Sequence, residues 1–264
     1  MRRRRDIARF VAFRKHGEGR EALVVGLGPT GRTLDGAKVR DRQNAGDLDI
    51  FVVNGFCDTE LAASVTPNFY ILADPLFFDF DDRTTMPNSS LHPADVWRYL
   101  REHPEVRVFI PHNCRAPLGF DDTRVVYFNG LGLEGFSRNI DATRPRGFLS
   151  MAAYNAMSVA VSMGFRRVLI VGIENSWFLS LALTSGGKVA LKPHHSYDLE
   201  SGDLHEIRIF REGGVPAFFE DISRLFGDLR LFRGRGIENL DAQTVVDVFP
   251  VARDRQDYLA GNSR

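Results

Sequence analysis

The most reactive side chains of this sequence lie in one long polar stretch, Glu174–Asp203, which also contains several glycines. His194 and His195 stand next to each other in it, and Ser196 and Tyr197 follow them. A long irregular stretch in a compact domain is typically a functional lid or an insertion, and we call Glu174–Asp203 the lid. The histidines are either reactive groups of this lid or a pair on a surface loop.

A metal site is a further interpretation of the same stretch. Zinc would need His194, His195 or Asp198 together with His205. These residues are too few at recognised ligand spacing, so we expect no metal.

A second chemically suggestive segment is the apolar run Ala22–Val25, which enters the glycine turn G-L-G-P-T-G at residues 26–31. Such a turn at the carboxyl end of a strand leaves backbone N–H groups unpaired, and a phosphate can bind them without obstruction by side chains. The turn is not the dinucleotide fingerprint G-x-G-x-x-G, because its third glycine comes one position too early. It predicts a nucleotide-type ligand, and the alternative is a purely structural turn.

Two further strand ends carry polar side chains. Asn54 precedes Gly55 after one apolar run, and Asp74 precedes Pro75 after the next. Polar residues at the carboxyl ends of parallel strands line the crevice in which α/β sheets bind ligands. Asn54 and Asp74 are therefore candidates for ribose or base contacts, although Asn-Gly and Asp-Pro are also ordinary turn formers.

The elements that must position these residues alternate along the chain. Strand-like runs occur at Ala22–Val25, Asp49–Val53, Phe69–Ala73, Val106–Ile110, Arg124–Phe128, Arg167–Val171 and Leu229–Phe232, and helical patterns at Pro93–Glu102, Leu149–Met163 and Val215–Phe226. This alternation predicts a Rossmann-like α/β fold, a mainly parallel sheet flanked by helices. We place one domain at residues 21–250, including the lid, between a basic segment at 1–20 and a tail at 251–264.

The helix predicted at Leu149–Met163 is apolar or small nearly all round, which indicates a buried helix. Gly164 ends it and a strand follows. Ser150 and Asn155 are its polar exceptions, and a serine or asparagine at such a position commonly bonds to the helix backbone.

Composition limits the function. The 264 residues contain 34 Lys and Arg against 34 Asp and Glu. The chain therefore lacks the positive net charge that would favour nucleic acid as a partner. The two cysteines have no disulfide or metal spacing, which is typical of a cytoplasmic protein. No segment reaches the roughly 20 apolar residues of a membrane span.

The start of the chain is strongly basic. Arg2–Arg5 lead into apolar residues at about helical spacing, including Phe10 and Phe13. This pattern is typical of a short amphipathic helix on an anionic membrane surface, which would make the protein peripheral on the inner face of the cell membrane. The alternative is a frayed basic terminus.

Taken in order, these segments resemble the bacterial sialyltransferases of glycosyltransferase family 42 and their uncharacterised Rossmann-like relatives. Those enzymes open with G-N-G-P-S-L, here G-L-G-P-T at 26–30, and continue through C-N-Q-F and N-P-S-L-F-F segments, here N-G-F at 54–56 and D-P-L-F-F at 74–78. A small-residue helix, a strand ending G-I-D and a lid with His-Ser complete the order, matched here by G-I-E at 172–174 and H-S at 195–196. The resemblance spans about residues 22–200, with a weaker similarity at Leu231–Leu240.

The resemblance implies an inverting, metal-independent enzyme without a cofactor, which moves sialic acid or a related acidic sugar from a CMP donor to a bacterial surface glycan. His195 would be the general base. The donor would contact residues of the glycine turn, the strand ends, the buried helix and the lid, namely Gly26, Gly28, Thr30, Asn54, Asp74, Ser150, Glu174, Trp177, Lys192 and Tyr197. Family members are often homo-oligomers, which adds a second copy of the chain as an expected partner.

The chain departs from the family pattern at several of these positions. Leu27 and Asp74 replace asparagines, Glu174 replaces an aspartate, and Ser176 stands where the family has a lid tyrosine that helps the leaving phosphate. Trp177, Lys192 or Tyr197 would have to replace that tyrosine. Two other functions therefore stay open: a metal- and ATP-dependent enzyme like the pterin diphosphokinases, and a nucleotide-binding module without catalysis.

Overall fold

The computed structural model of the protein describes residues 2–81, 83–85, 91–133, 135–147, 151–191, 205–206, 213–242 and 244–261. Within these ranges the chain forms five α-helices and ten β-strands. The helices are α1 (Arg2–Val11), α2 (Gly36–Asn44), α3 (Pro93–Glu102), α4 (Ala152–Ser162) and α5 (Gly214–Leu229). The strands are β1 (Glu21–Val25), β2 (Leu48–Val53), β3 (Phe69–Ile71), β4 (Arg107–Pro111), β5 (Val125–Phe128), β6 (Arg167–Val171), β7 (Leu181–Leu183), β8 (Val189–Leu191), β9 (His205–Glu206) and β10 (Ile237–Asn239).

Seven of the strands form one parallel sheet in the order β10-β6-β1-β2-β3-β4-β5. Val24 of β1 lies opposite Phe51 of β2 on one side and Ile170 of β6 on the other. Because all seven strands run the same way, every carboxyl end lies at one edge of the sheet. The Rossmann-like α/β fold predicted from the sequence is confirmed.

The sheet is buried on both faces, as the continuous apolar runs of its strands require. Alternate residues of each strand point to opposite faces, so that Val24 packs against α4 and α5, whereas Leu23 packs on the side of α2 and α3. The helices and the sheet therefore form three layers, and loops cover the carboxyl edge of the sheet.

The helices follow their sequence signals closely. α3 has the bounds predicted for it, because Pro93 occupies its first turn and a capping box joins His92 and Asp95 at its start. In α4 every residue from Ala153 to Ala160 is buried. Asn155 donates from Nδ2 to the backbone carbonyl of Met151, as expected for a polar residue on a buried helix.

Two predictions of secondary structure from the sequence are wrong. Leu229–Phe232 is not a strand, because Leu229 ends α5 and the following residues form a 3₁₀ turn. The two apolar side chains at its ends are three residues apart and both fully buried, a helical spacing that a short apolar run does not distinguish from a strand. The lid is also not irregular throughout, since β7 and β8 form an antiparallel hairpin that pairs with β9.

The basic N-terminal segment packs into the domain. Phe10 of α1 is fully buried, and its ring lies 5.7 Å from that of Phe109 in β4. Phe13 approaches the same ring at 5.8 Å. Phe10 and Phe13 therefore pack on the sheet, whereas Val11 of α1 is 57% exposed. No helix in the described ranges is long and apolar enough to span a membrane.

The opposite, amino-terminal edge of the sheet is held by an ion-pair network around Arg167. Its guanidinium bonds Glu21 of β1 at 2.9 Å, Glu238 of β10 at 2.8 Å and Asp254 of the tail at 2.8 Å. Tyr258, fully buried, donates to Glu21 at 2.8 Å. The tail at 251–261 is thereby tied to three strands of the sheet.

Candidate functional site

The carboxyl edge of the sheet has a topological switch point between β1 and β6. These strands pair along their length, and Val25 lies opposite Val171 at their ends. The chain leaves β1 toward α2 on one face and leaves β6 toward α5 on the other. Loops that diverge in this way leave a crevice in which open α/β sheets bind their ligands.

The glycine turn packs closely on the end of β6. The N–H of Gly26 donates to the carbonyl of Val171 and that of Gly28 to the carbonyl of Gly172, both at 2.8 Å. The expectation that this turn leaves its N–H groups unpaired is therefore wrong for Gly26 and Gly28, and also for Thr30 and Gly31, whose N–H groups donate to Glu174 and to the Gly28 carbonyl. Glycine is needed at both positions for close approach, since a Cβ would overlap the Gly172 carbonyl oxygen at Gly26 and the Glu174 carboxylate at Gly28.

A carboxylate occupies the place at this turn where the sequence predicted a phosphate. Oε1 of Glu174 accepts a hydrogen bond from the N–H of Thr30 at 2.6 Å. In return, Oγ1 of Thr30 accepts from the N–H of Gly172 at 3.0 Å. Glu174 is only 8% exposed, and Thr30 is half-buried, so both bonds are partly buried. We call this reciprocal pair the Thr30–Glu174 clamp, and it fixes the loops after β1 and β6 to each other.

A cleft of about 220 Å³ opens beside the clamp, on the α2 side of the sheet. Its walls come from the glycine turn and from the loop after β2. The polar side chains lining it are those of Arg32, Thr59, Glu60 and Ser64. The cleft therefore offers a cation and hydroxyl groups next to the glycine turn, between the loops after β1 and β2, and of the predicted site residues only Gly26 lines it.

Asn54 follows β2, which pairs with β1, and Asp74 follows β3, which is the next strand beyond β2. Asn54 has a left-handed backbone, with φ of 43°, and its carbonyl accepts from the Tyr70 hydroxyl at 2.6 Å. Asp74 accepts from the N–H of Leu76 at 3.0 Å and caps a 3₁₀ turn. Both residues thus shape their turns at the ligand edge, and their contacts to a donor stay a prediction.

Asn175 is a site residue that the sequence argument missed. It follows Glu174 with φ of 52°, and its buried Nδ2 donates to the Tyr154 hydroxyl at 2.7 Å. That hydroxyl in turn donates to the carbonyl of Leu225 in α5 at 3.1 Å, and burial raises the pKa of Tyr154 well above its usual range. Non-glycine residues in this conformation concentrate at functional sites. The start of the lid is therefore anchored to α4 and α5.

Of the predicted lid residues, the described part of the chain contains Glu174 and Trp177. Trp177 begins a 3₁₀ turn and packs partly buried against the core. The other predicted residues, Ser150, Lys192, His194, His195 and Tyr197, lie outside the described residues.

The two cysteines are poorly suited to nucleophilic chemistry. Burial raises the pKa of the Cys57 thiol to about 12 and also raises that of Cys114. A thiol is a nucleophile only when it is deprotonated. Among the described residues, no three His, Cys, Asp or Glu side chains lie close enough together to hold a metal ion.

The fold and the loops at its carboxyl edge define a doubly wound α/β protein with a crevice at its switch point. Comparisons with known proteins add little to this class. No family model matches the sequence, and no curated protein matches it. One solved structure, that of the MAf glycosyltransferase from Magnetospirillum magneticum AMB-1, superposes with a TM-score of 0.46 at 12% sequence identity. The match covers 90% of this chain but 34% of that protein, so this chain spans about a third of its length. A similarity of this degree identifies neither a family nor an activity.

Proposed function

We propose that the protein is a glycosyltransferase that binds a nucleotide-activated sugar in the switch-point crevice. The observation that supports this most is the Thr30–Glu174 clamp, which joins two segments that the family resemblance assigned to the donor separately. Asn54 and Asp74, assigned to the same donor, end the neighbouring strands of the same edge.

The donor that fits this site best carries one phosphate, as a CMP-linked acidic sugar does. The carboxylate of Glu174 lies in the glycine turn and repels any phosphate there, a di- or triphosphate more strongly than a single phosphodiester, because the repulsion grows with the charge of the ligand. Arg32 in the adjacent cleft can pair with the single phosphodiester. The same charge disfavours the rival function, in which the turn would hold the triphosphate of ATP.

In the proposed reaction, His195 takes the proton of an acceptor hydroxyl on a surface glycan as its oxygen attacks the anomeric carbon of the donor sugar. The bond from that carbon to the phosphate oxygen breaks, and CMP leaves with its electron pair. Configuration at the anomeric carbon is inverted. Lys192, Trp177 or Tyr197 would stabilise the leaving phosphate in place of the lid tyrosine of family 42.

A thermal-shift comparison of CMP, CDP, UDP, ATP with magnesium, and NAD tests the proposal. A ligand that binds only the native state at a hundred times its Kd stabilises the protein by about 2.7 kcal/mol, which is roughly 5–11 °C in Tm for a domain of this size. We expect CMP to give the largest shift and EDTA to leave it unchanged. A larger shift with ATP that requires magnesium would support the rival kinase-like function instead.

Two arginine variants locate the site. Arg32→Gln should reduce the CMP-induced shift, because Arg32 lines the cleft beside the clamp. Arg253→Gln is the matched control, since Arg253 is equally exposed but adjoins Asp254 at the opposite edge of the sheet. Equal responses of the two variants would place CMP outside the crevice.

A further inference from the structure

An exposed apolar turn projects from the loop after β5. Within the few residues 131–133 and 135–137, Leu131 is 50% exposed, Leu133 46% and Phe136 92%. Single exposed apolar side chains are common on protein surfaces, whereas three large ones within seven positions of one turn are unusual and suit an interaction site. We call residues 131–133 and 135–137 the apolar turn.

The apolar turn is a built structure. The N–H of Leu133 donates to the Arg146 carbonyl at 2.7 Å, and the N–H of Arg146 donates to the Leu131 carbonyl at 3.2 Å. The N–H groups of Phe136 and Ser137 both close back on the Leu133 carbonyl, at 3.0 and 2.8 Å. The backbone therefore holds the apolar side chains outward.

The base of the turn is anchored in the core. The guanidinium of Arg146 is fully buried and donates to the Asn129 carbonyl at 2.9 Å and to Ser158 of α4 at 2.8 Å. It also stacks over the Phe128 ring, with Cζ 5.1 Å from the centroid. These contacts of Arg146 fix the base of the apolar turn to β5 and α4.

Basic side chains follow the apolar turn in the chain. Arg138 is exposed, and the side chain of Arg144 is 75% exposed with its Nε 3.9 Å from Asp141. Arg14, which follows α1, reaches the same segment by bonding Asp141 at 3.2 Å and Thr143 at 3.0 Å. Arginines therefore outnumber the one acidic side chain in this described segment, although Glu134 adds an opposing charge in sequence.

We propose that the apolar turn inserts into the surface of an anionic lipid bilayer, with Arg138 and Arg144 on the headgroups. A projecting wedge of three side chains suits a deformable, anionic medium. A protein partner would need about 800 Å² of complementary surface, and a convex turn of this size presents much less. This site differs from the one predicted at the basic start of the chain, where Phe10 is buried in the core.

Co-sedimentation with vesicles of phosphatidylcholine, alone or mixed with phosphatidylglycerol, tests this proposal independently of any activity. The wild type should bind the mixed vesicles and bind neutral ones weakly. The triple variant Leu131→Ser, Leu133→Ser, Phe136→Ser should lose binding by about tenfold or more. Arg138→Gln with Arg144→Gln should also weaken binding by about tenfold and flatten its dependence on salt.

A matched triple variant controls for loss of apolar surface in general. Leu118→Ser, Leu179→Ser and Leu183→Ser remove side chains that are 102%, 66% and 71% exposed elsewhere in the chain. This control should bind vesicles as the wild type does, and a cooperative thermal transition in every variant would show that the fold is retained. Absence of wild-type binding to anionic vesicles, or equal loss in both triple variants, would overturn the proposal. It would also be overturned if the wild type left vesicles unbound and self-associated in sedimentation velocity, with the apolar-turn variant monomeric.

Discussion

Replacing Glu174 by alanine should destabilise the protein by about 1.5–3 kcal/mol, the usual worth of a hydrogen bond to a charged group. The variant removes the acceptor of the Thr30 N–H, which lies 2.6 Å from Oε1 in a site where Glu174 is 8% exposed. For a domain of this size the loss corresponds to a fall in Tm of roughly 3–12 °C.

Glu174→Gln separates the hydrogen bond from the charge. Glutamine keeps an acceptor oxygen for Thr30, and a neutral hydrogen bond is roughly half as strong as a charged one, so about half of the loss should remain. The same change removes the negative charge from the glycine turn. The affinity for ATP should therefore rise relative to that for CMP.

Differential scanning fluorimetry measures both effects, with titration calorimetry for the two nucleotides. Glu60→Gln is the matched control, because Glu60 is an exposed carboxylate lining the neighbouring cleft. It should leave Tm within about 1 °C of the wild type, as surface substitutions usually do. A wild-type Tm in Glu174→Ala would refute the clamp, and an unchanged ratio of CMP to ATP affinity in Glu174→Gln would refute the charge argument.

Three further predictions concern the base, the first helix and the tail. His195→Ala should lower kcat by about 10²–10⁴ with little change in CMP affinity. His194→Ala should have a milder effect, because adjacent residues of an extended segment point to opposite sides. Equal effects of the two variants in a transferase assay would reject His195 as the general base. Phe10→Ala should lower the free energy of unfolding in urea by about 3–5 kcal/mol, because Phe10 is fully buried. Deletion of residues 1–15 should therefore also destabilise the domain. A near-neutral Phe10→Ala variant would show that α1 is not part of the core. The hydrogen bond from Arg167 lowers the pKa of Asp254 in the folded state. The stability that this bond contributes is therefore present above about pH 4 and is lost as the pH falls further. Asp254→Asn should make unfolding less sensitive to acid, and parallel pH profiles of the free energy of unfolding for variant and wild type would contradict this.

Local signals in the sequence located much of the fold. The strand at Arg167–Val171 and the helix at Pro93–Glu102 have the predicted bounds, since an apolar run after Gly164 and a proline with a capping residue are strong local signals. β10 was missed because Ile237–Asn239 is three residues long and is defined by its pairing with β6. The hairpin in the lid was missed although glycines at 186 and 187 stand between two apolar runs, a spacing typical of a hairpin.

The candidate site was predictable as a set of strand ends but not as a set of contacts. Parallel strands bring their carboxyl ends to one edge, which is why the glycine turn, Asn54 and Asp74 could be grouped from sequence. The clamp joins residues 144 positions apart, and no local pattern indicates that a carboxylate would fill the turn. Asn175 had a signal in hindsight, because asparagine after a strand-ending glycine tolerates the left-handed conformation.

Hydrogen exchange measured by mass spectrometry, with and without saturating CMP, tests most directly whether the switch-point crevice binds the nucleotide. The account predicts slower exchange in peptides covering residues 26–33 and 172–177, which form the clamp and its two loops. Peptides covering residues 42–48, where α2 ends and β2 begins at the opposite edge of the sheet, should exchange at the same rate in both samples. Protection confined to that opposite edge, or no protection of the two crevice peptides by CMP, would contradict the central claim.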